Sequence, residues 1–552
     1  MKPNERNDFM KKKLFALILI CVSLFSLAGC KAPEVIGIHE AEDDGENYLS
    51  ADYVVGEAKE MASATENSRA YFTDSFDYNS LSEEEYESAD ESIFKNPVTS
   101  PLSTFSADVD TASYSVIRRF ILDGNLPPAD AVRTEEIINY FDYDLPLPSD
   151  GTPFSVTTEL HNCPWNKDNL LLMLALKGEE ITEKVPQNLV FLIDTSGSMH
   201  QDNRLPLIKK SIGILLDKLS ADDTITIVTY AGSSGYALKP TKVKHRGKII
   251  DAVNSLEAFG STNGEAGIRL AYEAALENKV NGNNRIILCT DGDFNVGMTD
   301  NKELEALIEE KRELGIYLTV LGFGMGNYKD ARMETLADKG NGNYAYIDSL
   351  MEAKRVLSDK LTGTLYTIAD DVKFQAEFNP KKVKSYRLIG YDNRLLETED
   401  FENDKKDAGE VGSGHTLVVL YEIVPGDATE NASLQYQSVV DKGDLLTFRI
   451  RYKSPGEDKS KLSEFVIKES LSLNKSENFA LAASGAELSL ILKNSEFKGS
   501  ASFESVIENA RLAKKGKDSF GIRSEFLQVA ELCRILYENA GKSICGYPKY
   551  EK

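Results

Sequence analysis

The sequence Leu-Val-Phe-Leu-Ile-Asp-Thr-Ser-Gly-Ser-Met at residues 189–199 joins five apolar residues directly to an acidic, hydroxyl-rich turn. A continuous apolar run of this length predicts a β-strand that is buried on both faces of its sheet. The turn that follows carries Asp194, Ser196 and Ser198 with the spacing D-x-S-x-S. This stretch therefore indicates a covered sheet with a polar site at the end of one strand.

Further apolar runs alternate with amphipathic segments as far as residue 361. The predicted strands span 189–194, 224–230, 285–290, 316–323 and 344–347, and the predicted helices span 205–219, 264–277, 302–314, 331–338 and 351–361. Buried strands that alternate with helices predict an α/β fold with a doubly wound, mostly parallel sheet. Ligands of such folds bind at the carboxyl ends of the strands, so we expect the functional chemistry there.

Two other polar segments are expected at the same edge of the sheet. Thr262 lies just before the predicted helix at 264–277, and Asp291 follows the strand at 285–290. A hard divalent cation such as Mg²⁺ prefers oxygen ligands in a near-octahedral array. Because hydroxyl groups do not neutralise the ion, it retains Lewis acidity for an external carboxylate. The sequence therefore predicts a site for Mg²⁺ or Mn²⁺ at which a partner carboxylate binds.

The five residues Asp194, Ser196, Ser198, Thr262 and Asp291 closely resemble the metal-ion-dependent adhesion site of von Willebrand factor type A (VWA) domains. The resemblance implies a Rossmann-like VWA sheet. It also implies that the two serines and the threonine are direct or switchable ligands, and that the two aspartates often act through water. A VWA fold whose site stays empty or serves only packing is the alternative.

The resemblance continues outside this domain. The segments at 101–114, 126–133 and 137–142, together with those at 478–483 and 518–526, look like YfbK-type bacterial VWA lipoproteins. The domains expected on this basis are a signal peptide at 1–29, an acidic disordered tether at 30–95, an N-terminal VWA-associated module at 96–185, a VWA domain at 186–362 and a C-terminal β-rich and helical region at 363–552.

The two regions that flank the VWA domain have their own patterns. The N-terminal module is predicted to be small and α+β, with Asp110 as the cap of a helix that begins near Thr111. The C-terminal region is predicted to form a sandwich followed by helices. Its predicted strands span 372–378, 383–389, 416–423 and 445–452, and its predicted helices span 477–492, 503–513 and 524–538.

The N-terminal residues predict export. A basic start at Lys11–Lys13 and an apolar run at 14–27 are typical of a secretory signal, and the run is too short for a comfortable membrane span. Leu27-Ala28-Gly29-Cys30 resembles a bacterial lipobox, which implies that Cys30 carries a lipid in an extracytoplasmic, membrane-anchored lipoprotein. A plain signal anchor with an incidental cysteine is the alternative.

Charge constrains the partners. The chain has 63 Lys and Arg against 88 Asp and Glu, a formal charge of −25, which argues against nucleic acid as a partner. Between Glu40 and Ser92 there are 17 acidic residues against Lys59 and Arg69 alone. Such a composition favours a solvated tether over a specific acidic tail.

Beyond the signal region the cysteines are sparse. Cys289 lies in an apolar run and is expected to be a buried thiol. Cys533 and Cys545 could pair with each other or remain free, and the sequence leaves this open. With Cys163 as the fourth, the set is not a disulfide framework.

Signals for an enzyme are weak. The sequence contains no G-x-x-x-x-G-K-[ST], no H-E-x-x-H and no G-x-S-x-G. The favoured function is therefore capture of an unidentified protein ligand that supplies a carboxylate. A metal-dependent hydrolase would need a base, for which only Asp293 or Glu265 lies close in sequence, and His200 is expected to be an exposed loop residue. A structural envelope scaffold is the third possibility.

Overall fold

The computed structural model of the protein describes residues 84–86, 89–107, 110–149, 151–260, 264–292, 301–325, 329–429, 443–518 and 520–545. The strands in this part of the chain are β1 Leu102–Ser106, β2 Phe154–Cys163, β3 Asn166–Gly178, β4 Gln187–Asp194, β5 Thr224–Tyr230, β6 Ser234–Lys242, β7 Asn283–Thr290, β8 Tyr317–Phe323, β9 Tyr344–Ile347, β10 Thr367–Phe378, β11 Val383–Ile389, β12 Gly409–Gly412, β13 Thr416–Pro425, β14 Asp444–Lys453 and β15 Ser460–Lys468. The helices are α1 Ala112–Leu122, α2 Thr134–Asn139, α3 Leu205–Leu216, α4 Arg246–Asn254, α5 Gly264–Glu277, α6 Asn301–Glu313, α7 Asp330–Lys339, α8 Leu350–Lys354, α9 Leu361–Leu365, α10 Glu477–Leu492, α11 Phe503–Ala513 and α12 Ile522–Cys545.

A six-stranded sheet in the order β6-β5-β4-β7-β8-β9 carries the candidate site. All neighbouring pairs are parallel except β5 with β6. Every residue of β4 is buried. Val190 and Leu192 pack in one apolar core with residues of α5 to α7, whereas Leu189, Phe191 and Ile193 pack in another with residues of α3 and α4. Helices thus cover both faces, which confirms the predicted doubly wound sheet.

Two antiparallel sheets form a sandwich beside it. One has the order β11-β13-β3-β2, and the other has the order β1-β10-β14-β15 with β12 also paired to β10. They share a core that includes Leu174, Phe374 and Phe448, while residues of α10, α11 and α12 pack with Leu171 and Met173.

The regions predicted separately at 96–185 and 363–552 are interleaved in this sandwich. Strand β1 pairs with β10, so that Phe105 faces Phe374, and β3 pairs with β13. The described residues from 84 to 545 accordingly form one compact unit. The expected N-terminal module is not a separate folded body. Its strands β1, β2 and β3 share their sheets with strands β10 to β15, the first of which begins at Thr367, more than 180 residues after β3 ends at Gly178.

The folded part of the chain begins earlier than the composition predicts. Glu84 forms an ion pair of 2.8 Å with Arg119, and its side chain is only 1% exposed. Glu85 makes a parallel β-bridge with Lys329, whose Nζ donates to Glu85 Oε1 at 2.6 Å. The predicted tether boundary at residue 95 is therefore wrong, since distant cations compensate these two carboxylates. The rest of the predicted tether up to residue 83, together with the signal segment and Cys30, lies outside the described residues.

Asp110 does not cap helix α1. The N-cap position is Thr111, which makes no side-chain capping bond. Asp110 instead accepts a hydrogen bond of 2.8 Å from the Tyr344 backbone N–H and forms an ion pair of 3.2 Å with Arg394. Instead of the predicted capping of a neighbouring helix, Asp110 thus contacts residues that lie far away in the sequence.

Buried ion pairs fix the six-stranded sheet to the rest of the protein. Arg118 on α1 contacts Asp348 at 2.6 Å, Glu352 at 2.9 Å and Glu525 on α12 at 2.8 Å. Loss of one partner of a buried pair is costly because it leaves an uncompensated charge. These contacts therefore hold α1, α8 and α12 in a fixed relation.

The cysteines are reduced where they are described. Cys163, Cys289 and Cys533 are buried free thiols, and burial raises the pKa of Cys289. Cys533 and Cys545 lie on the same helix α12, so they are separated by about 18 Å along its axis, far beyond disulfide range. No disulfide joins them in this helix. Within the described residues, no helix has the length and apolar character needed to cross a bilayer.

His415 lies where helix α9 packs against the sandwich. A Cβ on Gly363 would be only 2.3 Å from His415 Nε2, and the Gly412 N–H donates to His415 Nδ1 at 3.4 Å. Burial, together with the charges of Lys360, Lys177 and Arg355, lowers the pKa of His415 to about 3. The neutral imidazole is therefore the form compatible with the fold.

This burial predicts a pH-dependent stability. Since the pKa of the unfolded histidine is near 6.5, His415 stabilises the fold above that value, and this contribution is lost as the pH falls towards 3. Between pH 7 and pH 5 the free energy of unfolding should fall by about 1 to 2 kcal/mol more in the wild type than in His415→Asn. Chemical denaturation at both pH values measures the difference. The same substitution at the exposed His245 should leave the wild-type dependence intact, and an equal loss in His415→Asn would contradict the prediction.

Candidate metal centre

The candidate site lies where the strand order of the six-stranded sheet reverses. Strand β4 has β5 on one side and β7 on the other, and successive strands continue outward in opposite directions. Asp194 is the last residue of β4, and Asp291 directly follows β7. Ile193 faces Cys289 in the parallel β4–β7 pair, so both aspartates are at the same edge. Ligands bind at such a switch point because the flanking loops diverge there and leave a crevice.

The turn after β4 places several oxygen atoms close together. The Ser196 backbone N–H donates to Asp194 Oδ1 at 2.7 Å, and Ser196 Oγ lies 3.0 Å from Ser198 Oγ. Adjacent oxygens around Mg²⁺ at about 2.1 Å are separated by about 3.0 Å in an octahedron, so the two hydroxyls have the spacing of neighbouring ligands. They form a hydrogen bond with each other in this structure.

Asp194 is buried beside the Tyr230 hydroxyl. Its side chain is 0% exposed, and among the described residues its Oδ2 accepts no hydrogen bond of good geometry. Burial, together with the charge of Asp291, raises the pKa of Asp194 to about 6, against the lowering effects of the Ser196 N–H and of the Tyr230 hydroxyl. A buried carboxylate oxygen without a partner is costly unless a cation or a donor reaches it. The donor set therefore fits a hard divalent cation.

Arg204, which no sequence pattern singles out, also lies within the site. Its Nη1 donates to Asp291 Oδ2 at 2.6 Å and to the Ser198 carbonyl at 2.7 Å, and its Nη2 donates to the Met325 carbonyl at 2.6 Å. The residue is 6% exposed. It joins the loops after β4, β7 and β8, and it positions Asp291.

Gly324 makes room for this guanidinium. The residue has φ +79°, and a Cβ there would lie 2.2 Å from Arg204 Nε. A side chain would therefore displace Arg204 as well as strain the backbone. An arginine before an apolar helical segment is usually a surface residue, so the local pattern around Arg204 does not predict its burial. The glycine that follows β8 is the one sequence feature that is consistent with it.

Thr262 lies outside the described residues, as does Asp293, but the chain on either side of Thr262 is placed. Gly260 accepts a hydrogen bond of 3.0 Å from the Gly197 N–H, and the Phe259 N–H donates to the Thr195 carbonyl at 2.7 Å. Phe259 and Gly260, which precede Thr262 by three and two residues, thus contact the loop after β4.

The other polar residues near the site have ordinary roles. Glu265 pairs with Arg269 at 3.1 Å on the exposed side of α5, and His200 is exposed in a short 3-10 helix at Gly197–His200. In the described part of the chain, no group of three or more His, Cys, Asp or Glu side chains could hold a metal ion. A cation at this edge would therefore depend on hydroxyl ligands beside the two aspartates.

Comparison with known families divides the chain into three matches. Residues 188–359 match the von Willebrand factor type A domain, residues 80–173 match a family described as von Willebrand factor, and residues 363–536 match the C-terminal family of the uncharacterized protein YfbK. The chain is 43% identical over 464 residues to the uncharacterized protein YfbK of Escherichia coli K12, covering 81% of this chain and 80% of that protein.

More distant similarity is confined to part of the chain. The human inter-alpha-trypsin inhibitor heavy chain H4 is 30% identical over 173 residues, which is 29% of this chain and 18% of that protein. Among solved structures, a von Willebrand factor type A protein from Catenulispora acidiphila is 15% identical with a TM-score of 0.40, covering 68% of this chain and 89% of that one.

Arg204→Met tests the role of the buried guanidinium. The substitution removes the compensating charge while nearly preserving the length of the side chain, so Asp291 and Asp194 remain buried without it. Loss of one partner of a buried pair predicts a destabilisation of about 3 kcal/mol or more, measured by denaturation in EDTA. Arg246→Met removes an exposed pair with Asp217 and should cost less than about 1 kcal/mol. Equal stability of the two variants would contradict the role assigned to Arg204.

Proposed function

Because the chain belongs to the YfbK family of proteins with a VWA domain, we propose that it is a binding protein that captures a partner's carboxylate through a divalent cation. Ser196, Ser198 and Thr262 would hold Mg²⁺ or Mn²⁺, and Asp194 and Asp291 would supply negative charge. The observation that carries the proposal is the fully buried Asp194 carboxylate beside a pair of hydroxyl oxygens 3.0 Å apart.

The charge balance of the site supports an anionic partner. Two carboxylates, the Arg204 guanidinium and a divalent cation have a combined charge of plus one. Hydroxyl ligands add no negative charge, so the loaded site attracts one more anion. A carboxylate from a partner would neutralise the site and complete the coordination of the ion.

We further propose that the protein acts outside the cytoplasm, anchored to a membrane by a lipid on Cys30. The basic start, the short apolar run and Leu27-Ala28-Gly29-Cys30 support this localisation. The partner would then be a protein of the envelope or one that reaches it.

Hydrolysis by the same ion has less support. A hydrolytic mechanism needs a general base within hydrogen-bond reach of a metal-activated water. Of the two residues considered for that role, Glu265 is paired with Arg269 on an exposed helix face, and Asp293 lies outside the described residues. We therefore favour binding over catalysis.

Metal titration of the Asp194→Asn variant tests the proposed function. Isothermal titration with Mg²⁺ and with Mn²⁺ should give saturable one-site binding to the wild type, and no binding to the variant. The amide has nearly the shape of the carboxylate but lacks its charge. Since the amide keeps an acceptor for the Ser196 N–H and can donate to the Tyr230 hydroxyl, the variant should retain the wild-type melting temperature in EDTA.

Asp202→Asn is the matched control. Asp202 is exposed and lies eight residues after Asp194, so this variant loses the same charge and should bind metal as the wild type does. Undiminished binding by Asp194→Asn would contradict the proposed site. Unfolding of that variant in EDTA would instead indicate that Asp194 serves a structural scaffold.

A further inference from the structure

Phe259 presents an unusually exposed aromatic ring at the candidate site. It is 84% exposed, whereas phenylalanine is among the residues most often buried in proteins. The residue lies on the loop after α4, three positions before Thr262. Gly197, which donates to the carbonyl of the next residue, Gly260, is exposed and has no side chain that could cover the ring.

Backbone hydrogen bonds hold the Cα atom of Phe259 close to the hydroxyl pair. The Phe259 N–H donates to the Thr195 carbonyl at 2.7 Å, and the next residue, Gly260, accepts from the Gly197 N–H at 3.0 Å. Gly260 has φ +94°, so the chain turns sharply just after the ring. From the Phe259–Thr195 bond and standard covalent geometry, the Cα atoms of Phe259 and Ser196 are no more than about 8 Å apart.

This distance limits where an apolar group of a partner can lie. A chain advances about 3.3–3.6 Å per residue when extended, so the side chain one or two residues from a metal-held carboxylate would reach the ring. Burial of an aromatic side chain at an interface contributes strongly to affinity, especially near the centre of the interface.

We propose that Phe259 is a specificity-determining contact, and that the partner is a protein segment with an apolar side chain within two residues of the carboxylate that binds the ion. This inference rests on the proposed function and adds the chemistry of the neighbouring subsite. Charge favours a protein over a lipid surface: the chain has a net charge of −25, and the exposed Glu257 lies two residues from the ring, so an anionic bilayer would be repelled.

Binding to short peptides tests the subsite. The probes are surface-immobilised Gly-Gly-Asp-Xaa-Gly-Gly peptides with Leu, Phe or Ser at Xaa, presented at high density so that weak contacts are measurable. In Mg²⁺ the wild type should prefer the Leu and Phe peptides over the Ser peptide by about 10-fold or more, as expected for burial of one apolar side chain. Phe259→Ala should remove the preference while retaining Mg²⁺-dependent binding to all three peptides.

Leu473→Ala is the matched control because Leu473 is 100% exposed and lies in the segment between β15 and α10. It should retain the wild-type preference. An unchanged preference in Phe259→Ala, with binding still dependent on Mg²⁺ and lost in Asp194→Asn, would overturn the role of Phe259 but not the proposed function. Loss of Mg²⁺ dependence for every peptide would overturn both.

A fluorescent substitution gives an independent measurement. The protein has one tryptophan, Trp165, which is 1% exposed, so Phe259→Trp introduces a solvent-exposed reporter at the site. Addition of the Leu peptide in Mg²⁺ should shift its emission to shorter wavelength, and addition of the Ser peptide should not. Sedimentation of the wild type with phosphatidylcholine vesicles, lost in Phe259→Ala, would instead identify the ring as a lipid contact and overturn the proposal.

Discussion

The buried guanidinium of Arg204 is the constraint on which the candidate site depends. It contacts Asp291, the Ser198 carbonyl and the Met325 carbonyl at 2.6–2.7 Å, and so it fixes three loops with one side chain. Arginine suits this role because its planar donors remain charged and point in fixed directions. Without a cation among the loops, the two aspartates at this edge would repel each other in a region closed to water. Arg204 therefore allows the site to exist before any metal ion binds.

The same loops are connected to the beginning of the folded chain. Tyr346 donates its hydroxyl proton to the Gly324 carbonyl, and Arg119 contacts both Tyr346 and Glu84. Glu85 forms an ion pair with Lys329, which lies a few residues after Gly324 in the loop between β8 and α7. The segment at 84–86 is thus fixed beside the loop that Arg204 holds. Such a chain of contacts can couple the segment at 84–86 to the candidate site only if the loop after β8 has two arrangements, and the structure shows one arrangement.

Local pattern predicted the parts of the fold that bury continuous apolar runs. Strand β5 and helix α5 have the predicted bounds. The apolar residues of each segment recur with the spacing of its own type of element, so only one assignment, strand or helix, fits each. The edge strands β6 and β15 were missed because they are largely solvated and their patterns are weak. The helix α4 was missed as well, since only Ile249 and Val253 of its residues are buried.

Non-local charge compensation explains the errors near the site and at the tether boundary. Glu84 belongs to an acidic run that by composition should be solvated, yet Arg119 neutralises it from another element. Asp110 has the spacing of a helix cap but contacts Arg394 across the protein. Arg204 likewise lies in a sequence segment whose pattern does not predict that its side chain is buried. Sequence patterns report which residues share a face, whereas these pairs depend on which faces the fold brings together.

A metal-held carboxylate cannot by itself identify a partner, because acidic residues occur on almost every protein surface. The chain itself carries 88 Asp and Glu residues, 17 of them between Glu40 and Ser92. A partner must therefore gain affinity from something other than its charge. An exposed phenylalanine close to the hydroxyl pair provides such a contact, because an apolar side chain of the partner buried against it adds affinity that charge alone does not supply.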